Sequence, residues 1–382
     1  MNDLRRSIVR FHSPADTTAA AAEIARGAAG SALTVLFAST DHDLAEFGRA
    51  LAARSVRHVV GAATGRVIGA TGFEPHGVTG FHLPSGRFAA ADAVIEDAAA
   101  ISLPEARELV RRLRSELGRS AGTALEHHFA VLFVDADARC EERLTAMLGM
   151  ELNGVPLVGG SAGDVYFNPR GHAPGSTRIL HHGRALRGAA VLCLVASASP
   201  IVAYCHNHYV TSDRKVVITG ADPARRLVSE IDGYPALKVY ASLCGFRRPP
   251  RDSRDFAPYP LMIRIGGQYY ARGMQRIDAD GTLEFACALE PGLVVSIARP
   301  GDMVACLADL FAAMRATIGT PDLVIGLDCA ARTAYMEQRA LTAGVASLLK
   351  SHAVTGFATL GEQFNTIHAN NSFTCLGIAA PS

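Results

Sequence analysis

Two histidines and two tyrosines lie close together in an apolar stretch near the middle of the chain, residues 201–219. The composition of this stretch predicts a single strand, in which residues i and i+2 share a face. Tyr204, His206 and His208 are therefore predicted to lie on one face and Tyr209 on the other. Neighbouring imidazoles among aromatic and aliphatic residues are typical ligands of a metal ion or a haem iron. Ordinary packing of half-buried histidines is the alternative interpretation.

A second set of polar residues lies beside glycine-rich segments. Gly160 and Ser161 belong to a Gly-x-Ser-x-Gly pattern, and Glu362 begins a polar run that includes Asn370. These four residues could bind a small ligand such as an amino acid or a metabolite, or could join a loop to the core by hydrogen bonds. A nucleophile elbow needs a helix directly after the serine, and residues 165–171 contain a proline and a glycine instead. A hydrolase acting through Ser161 or a cysteine is therefore disfavoured, and we predict that the chain is not an enzyme.

Length and charge limit the classes of protein to which the chain can belong. Its 382 residues are more than one ordinary core supports, so two domains are predicted. No apolar run approaches the ~20 residues of a membrane span, and the first residues do not read as a secretion signal. We therefore expect a cytoplasmic protein without a membrane partner. The net charge of +1 predicts no nucleic-acid partner.

The basic residues and cysteines add little evidence for a further site. Arg247, Arg248, Arg251 and Arg254 lie among prolines and are predicted to form an exposed connector, with binding of phosphate or haem propionates as the alternative. The eight cysteines are scattered without a Cys-x-x-Cys pair, which disfavours a zinc knuckle or an iron-sulfur cluster. Because there is no Cys-x-x-Cys-His either, any haem here would be held without thioether links.

Apolar periodicity predicts a mixed α/β fold, with mixed β-sheets flanked by helices. Residues 44–52 have the spacing of a helix, and residues 88–95 are predicted to form a strand. A helix is expected after Asp222, because Asp is a good N-cap and a proline follows it. His181 and His182 are predicted to lie at a hairpin turn.

Three stretches of the chain resemble one another: V-V-G-A-A-T-G-R at 59–66, L-V-G-G-S-A-G-D at 157–164 and V-T-G-F-A-T-L-G-E at 354–362. Each is an apolar strand that runs into closely spaced glycines, which permit a turn or a close approach of the backbone. The spacing is not that of a dinucleotide fingerprint and no Walker lysine follows, so nucleotide binding has little support.

The order of these motifs, followed by H-A-N-N-S-F at 368–373, resembles the FIST family of bacterial sensory proteins. The resemblance covers nearly the whole chain. It implies a FIST N-type domain at 1–195 and a FIST C-type domain at 196–382. The family's usual His-x-Asn-Gln-Thr motif is replaced by a sequence with Asn371 and Ser372, so a ligand role carried over to this motif is not implied.

The segment H-N-H-Y-V-T-S-D-R-K at 206–215 is similar to a branch of the family that senses nitric oxide. This similarity implies a haem b cofactor, nitric oxide as the signal and a histidine kinase as partner; a homodimer is also an open expectation. Position by position, His208 is the first choice for the iron ligand and His206 the second, with Tyr204 and Tyr209 beside the cofactor. The alternative function is a sensory module for another small molecule, at Gly160, Ser161, Glu362 and Asn370.

Overall fold

The computed structural model describes residues 4, 6–13, 16–122, 124–164, 177–247, 250 and 255–381. Its fold is mixed α/β, as predicted. The helices are α1 (Thr17–Gly27), α2 (Leu44–Ala52), α3 (Leu103–Ser120), α4 (Glu141–Glu151), α5 (Ala236–Cys244), α6 (Met303–Ile318), α7 (Ala330–Gln338) and α8 (Thr342–Ser351).

Strands outnumber helices in the described chain. The first half contains β1 (Val9–Ser13), β2 (Ser31–Ser39), β3 (Val59–Thr64), β4 (Val67–Gly69), β5 (Gly72–Glu74), β6 (Val78–Pro84), β7 (Phe88–Ile95), β8 (His127–Asp135), β9 (Leu157–Ala162), β10 (Ile179–His181), β11 (Arg184–Leu186) and β12 (Ala190–Ser197). The second half contains β13 (Ile201–His206), β14 (Tyr209–Asp222), β15 (Leu227–Ile231), β16 (Tyr234–Pro235), β17 (Leu261–Ile265), β18 (Gln268–Arg272), β19 (Met274–Ile277), β20 (Leu283–Phe285), β21 (Val294–Pro300), β22 (Pro321–Cys329), β23 (Val354–Thr359), β24 (Glu362–Phe364), β25 (Ile367–Ala369) and β26 (Phe373–Ala379).

Three six-stranded sheets have the same internal order. Sheet 1 is β1-β6-β2-β3-β10-β11, sheet 2 is β7-β12-β8-β9-β24-β25, and sheet 3 is β13-β26-β22-β23-β4-β5. We call the stretches 9–84, 88–197 and 201–379 repeats 1, 2 and 3. In each sheet the third and fourth strands of this order are parallel, β2 with β3, β8 with β9 and β22 with β23, and a helical segment connects the two strands. The fold is therefore built from three copies of one unit.

The three units also agree in register. The parallel pairs begin at Thr34↔Val59, Ala130↔Leu157 and Val324↔Val354. Equivalent backbone bonds join β3, β9 and β23 to the residue before an incoming hairpin: Ala63 N to Arg178 O, Ser161 N to Gly361 O, and Ala358 N to Arg66 O, each with an N···O distance of 2.9 Å. The three similar glycine-containing stretches thus occupy equivalent strands, β3, β9 and β23.

Each sheet receives its edge hairpin from another repeat. β10–β11 of repeat 2 completes sheet 1, β24–β25 of repeat 3 completes sheet 2, and β4–β5 of repeat 1 completes sheet 3. The predicted boundary between 1–195 and 196–382 therefore separates strands that pair with each other. That domain division stays a prediction.

The inner faces of the three sheets share one apolar core. Phe37, Phe133 and Phe357 come from the three repeats and meet in this core. The ring centroid of Phe37 lies 5.3 Å from that of Phe133 and 4.9 Å from that of Phe357, and the last two are 6.1 Å apart. Separate apolar clusters lie on the outer faces, under α1–α2, α3–α4 and α6–α8. Each sheet is thus buried on both faces, which explains why its strands contain long apolar runs.

Repeat 3 contains an inserted sheet with a core of its own, between β13 and α6. Its order is β18-β17-β21-β14-β15-β20-β19, with β16 paired to β15, and α5 packs on it. Two predictions are wrong here. Residues 201–219 are not one strand, because β13 pairs with β26 whereas β14 pairs with β21 of the inserted sheet. After Asp222 there is only a single 3-10 turn, and the chain then pairs as β15.

Other predictions concern the surface of the molecule. Among the described residues, no helix has both the length and the apolar character needed to cross a membrane. Arg247 is exposed, whereas Arg248, Arg251 and Arg254 of the predicted connector lie outside the described residues. His181 and His182 lie at the β10–β11 hairpin, as predicted.

Candidate functional site

Buried polar side chains are concentrated where the β24–β25 hairpin of repeat 3 joins β9 of repeat 2. We call this region the polar junction. Ser161, Glu362 and Asn370, which the sequence had indicated, all belong to it. The junction comprises Ser161, Glu362, Gln363, His368, Asn370, Asn371 and Ser372, with Asp328, Arg332 and His208 beside them; each is less than 5% exposed.

One face of β24 carries an amide and imidazole network. The side-chain amide of Gln363 donates to Ser161 Oγ at 2.9 Å and lies 3.4 Å from His368 Nδ1. Asn370 Nδ2 lies 3.4 Å from the other ring nitrogen of His368. Arg272 of the inserted sheet donates to the backbone carbonyl of His368 at 3.1 Å. The inserted sheet therefore closes this side of the junction.

The opposite face of β24 carries Glu362. Its carboxyl group accepts from the Thr359 hydroxyl and from Ser372. Oγ and the backbone N of Ser372 lie 2.5 Å and 3.3 Å from Glu362 Oε2. Burial raises the pKa of Glu362 to about 8, although these hydrogen bonds oppose the shift. The carboxyl group is therefore mostly protonated at neutral pH and able to donate a hydrogen bond.

An ion pair lies beside Glu362. Arg332 Nε donates to Asp328 Oδ1 at 2.6 Å, and Arg332 Nη1 lies 3.2 Å from His208 Nδ1. A guanidinium group can only donate, so His208 Nδ1 must accept and the ring proton lies on Nε2. Burial lowers the pKa of His208 to about 2, with help from Arg332 and His206. His208 is therefore a neutral imidazole whose tautomer is set by Arg332.

The two predicted tyrosines are separated. Tyr209 Oη accepts from Asn371 Nδ2 at 3.1 Å and donates to the carbonyl of Ala257 at 3.3 Å, so it ties the junction to the inserted sheet. Tyr204 instead packs against α6, where its hydroxyl lies 3.4 Å from Thr317 Oγ1. Tyr209 belongs to the candidate site and Tyr204 lies outside it.

The other two repeats show what the scaffold itself requires at these positions. The register places Glu362 at the same position as Val67 and Ile179, Gln363 at that of Ile68 and Leu180, and Asp328 at that of Ala38 and Val134. All six equivalent residues are buried and apolar. The polar side chains of the junction are therefore not needed to build the sheets.

Several buried atoms of the junction and of the nearby His206 have no hydrogen-bond partner among the described residues. They are Gln363 Oε1, Asn370 Oδ1, Asn371 Oδ1, Asp328 Oδ2, His206 Nε2 and His208 Nε2. A buried polar group without a partner costs about 1–3 kcal/mol. Four of the six are acceptor oxygens, so a molecule that brings N–H or O–H donors would complement this set.

Gly160 does not contribute to a ligand site in this arrangement. A Cβ atom at Gly160 would lie 2.5 Å from Thr359 Cγ2 and 2.8 Å from Phe357 Cζ, so the glycine permits close packing of the central core. Ser161 lies within β9 and is fully buried, and not on the exposed turn of a nucleophile elbow. The Gln363 amide that contacts it cannot act as a base. Burial also raises the pKa of Cys205 to about 11, which leaves this thiol protonated.

His208 does not fit an iron ligand in this geometry. An iron bound at Nε2 requires the proton on Nδ1, but Nδ1 faces the donor Arg332. The His208 ring also packs against Tyr209 and Tyr335, at centroid distances of 4.2 Å and 5.3 Å. His206 Nε2 is buried and has no hydrogen-bond partner in the part of the chain that the structure describes. Haem binding stays a prediction.

Sequence reasoning missed Asp328 and Arg332. Both lie in or just after the apolar strand β22, where two opposite charges four residues apart interrupt a hydrophobic run. That interruption was the available signal, because charges in a buried strand need a partner. Gln363 and His368 fall within the polar run that begins at Glu362, but no role could be assigned to them without the hairpin pairing.

Comparison with known proteins agrees with the order of motifs. A model of the FIST N domain matches residues 32–234, and a model of the FIST C domain matches residues 236–365. No curated protein matches the chain. A solved structure described as "Cyanuric acid hydrolase: evolutionary innovation by structural concatenation" is 13% identical over 98% of this chain and 99% of its own, with a TM-score of 0.32. The chain belongs to the FIST family, whose domains are sensory domains in signalling.

Proposed function

We propose that this protein is a sensory module that binds a small, donor-rich metabolite, such as an amino acid, at the polar junction. The observation that carries the proposal is the pair of buried acceptor oxygens on Gln363 and Asn370, which belong to one network around His368 and which no described donor reaches; the oxygens of Asn371 and Asp328 are further unpaired acceptors in the same junction. An ammonium or amide group supplies the missing hydrogen bonds. Specificity follows, because an analogue without these donors leaves the same acceptors unpaired.

Two further features support this ligand class. Glu362 is a mostly neutral carboxyl group at pH 7, since burial raises its pKa to about 8, and a cationic ligand nearby would favour its ionised form. The ligand would also lie between two repeats and the inserted sheet, which meet through Arg272 and Tyr209. Binding there can bias how these parts pack, within the ~1–3 kcal/mol usual for coupling between sites.

The test measures the thermal midpoint and the binding heat of the purified chain with the twenty standard amino acids and their amides. At least one should stabilise the folded state, by about 2.7 kcal/mol at a concentration of 100 times Kd. Gln363→Leu, which installs the residue of the equivalent position Leu180, should fold but lose this response. Ile68→Leu, at the same position of the third hairpin, is the matched control and should keep it.

Two results would contradict the proposal. No probe changes the midpoint or gives binding heat, or Gln363→Leu responds to a bound amino acid as strongly as the unaltered chain.

A haem b sensor for nitric oxide that regulates a partner histidine kinase is the second candidate. The observation in its favour is the buried, unpartnered Nε2 of His206. His206 would hold the iron, and the haem would supply the site at which nitric oxide binds. We infer that His208 serves instead to orient Arg332.

An absorption spectrum of the chain expressed with added haem tests this candidate. We expect His206→Ala to remove the Soret band and its response to nitric oxide, and His208→Ala to retain both. A spectrum without a Soret band, or one that His206→Ala leaves unchanged, rejects His206 as the ligand. Kinase autophosphorylation with and without the loaded protein then tests the partner.

A further inference from the structure

Three histidines and an aspartate meet at another junction, between sheet 1 and sheet 2. His181 ends β10, and His182 begins the two-residue turn to β11. His58 precedes β3, the neighbour of β10. Asp92 lies in β7, the edge strand of sheet 2. Residues from three separate segments of the chain therefore converge.

The ligand atoms already lie close together. Nε2 of His181 and Nε2 of His182 each lie 2.8 Å from Asp92 Oδ2. Potential ligand atoms of His58, Asp92 and His182 all lie within 4.8 Å of one another. Bonds of about 2.0–2.1 Å to a tetrahedral zinc ion place ligand atoms roughly 3.4 Å apart. Metal binding therefore requires the side chains to draw together, and the stacked rings of His181 and His182, whose centroids lie 4.0 Å apart, to turn toward a common point.

The repeated scaffold does not require any of these four residues. The equivalent positions in the other repeats hold Gly69 and Phe364 for His181, Ala70 and Asn365 for His182, Pro156 and Ala353 for His58, and Arg10 and Ala203 for Asp92. The turn itself needs only a residue that tolerates positive φ, as Asn365 does at 54°, and His182 adopts 47° there. The turn therefore does not need an imidazole at this position.

The donor set suits a borderline metal ion. Imidazole nitrogen and carboxylate oxygen are common ligands of Zn²⁺. The nearby Arg184 forms an ion pair with Glu96, in which Nη2 lies 2.8 Å from Oε1.

We propose that His58, His181, His182 and Asp92 bind a divalent transition-metal ion of the Zn²⁺ type, which joins sheet 1 to sheet 2. This site is separate from the polar junction, and its test does not depend on the proposed function.

The full chain, freed of any affinity tag and stripped with a chelator, is titrated with Co²⁺ and then with Zn²⁺. We expect one Co²⁺ per chain, the intense visible absorption of a four-coordinate site, and displacement by Zn²⁺. Asp92→Asn and His182→Ala should each weaken Co²⁺ binding by about tenfold or more. Asp92→Asn keeps the shape of the side chain, so the metal site can still be tested if His182→Ala does not fold.

His76→Ala is the matched control, because His76 is an exposed histidine that also pairs with an aspartate, Asp41. It should bind Co²⁺ as the unaltered chain does. The proposal is overturned if the unaltered chain binds no stoichiometric Co²⁺. It is equally overturned if Asp92→Asn, with an unchanged circular dichroism spectrum, binds as tightly as the unaltered chain.

Discussion

The hairpin that enters sheet 1 and the hairpin that enters sheet 2 have the same strand order and the same register, but their interiors differ. Ile179 and Leu180 of the first hairpin are buried among apolar residues. Glu362 and Gln363 take the equivalent positions of the second hairpin and are equally buried. The fold therefore accepts a fully apolar hairpin. The polar one carries an unfavourable free energy of burial that the fold itself does not require, and the proposed ligand site rests on this difference.

The largest change in the free energy of unfolding should come from moving a carboxyl group into the apolar hairpin. Ile179→Glu should lower the free energy of unfolding by about 4 kcal/mol or more, because that site offers an aliphatic core in place of the hydroxyl donors that serve Glu362. Chemical denaturation at neutral pH measures the change. Ile179→Val is the control and should cost about 0.5–1.5 kcal/mol. A small loss for Ile179→Glu would show that the two hairpins do not differ in what they tolerate.

Within the polar junction, removal of the buried cation should have the next largest effect. Arg332→Ala leaves the buried carboxyl group of Asp328 without its counterion, and we expect a loss of about 3–5 kcal/mol. Arg111→Ala removes a cation from an exposed pair with Glu108 and should leave the free energy of unfolding nearly unchanged, because solvent screens this pair. Equal effects of the two substitutions in urea denaturation would contradict this reading of the buried pair.

The carboxyl group of Glu362 should make stability depend on pH. Because burial raises its pKa from 4.5 to about 8, the folded state binds one more proton than the unfolded chain between these values. Stability contributed by this group therefore falls as the pH rises through that window, by at most about 1.4 kcal/mol per unit. Glu362→Gln removes the titration, so its free energy of unfolding should decline less between about pH 5 and pH 8. Parallel curves for the two proteins would argue against the raised pKa.

The smallest effect should come from the link between the junction and the inserted sheet. Tyr209→Phe removes a hydroxyl that bonds both Asn371 and the carbonyl of Ala257, with an expected cost of about 1 kcal/mol. Tyr204→Phe changes only the exposed contact with Thr317 and should be close to neutral. Thermal unfolding of both variants compares the two sites. A larger loss for Tyr204→Phe would place the link elsewhere.

Local patterns were sufficient to predict much of the framework. Residues 44–52 and 88–95 form the predicted helix and strand, because spacing of apolar residues is a property of a single segment. The three similar glycine-containing stretches also indicated that equivalent strands exist. The exchange of hairpins was not predictable, since it depends on which strands pair across more than a hundred residues.

The mid-chain histidines illustrate the other limit. Residues 201–219 have strand-forming composition throughout, so only their partners reveal that pairing changes sheets after His206. That break takes His208 off the strand face it was predicted to share with Tyr204. It places the ring beside Arg332, a residue 124 positions away in the sequence.

The circular exchange of hairpins makes the three repeats interlock. A fragment that ends at any repeat boundary leaves a donated hairpin without its acceptor strand and another strand with a bare edge, which invites pairing with other chains. The smallest piece able to fold without such open edges is thus the whole ring of three. We therefore expect the three repeats to unfold together.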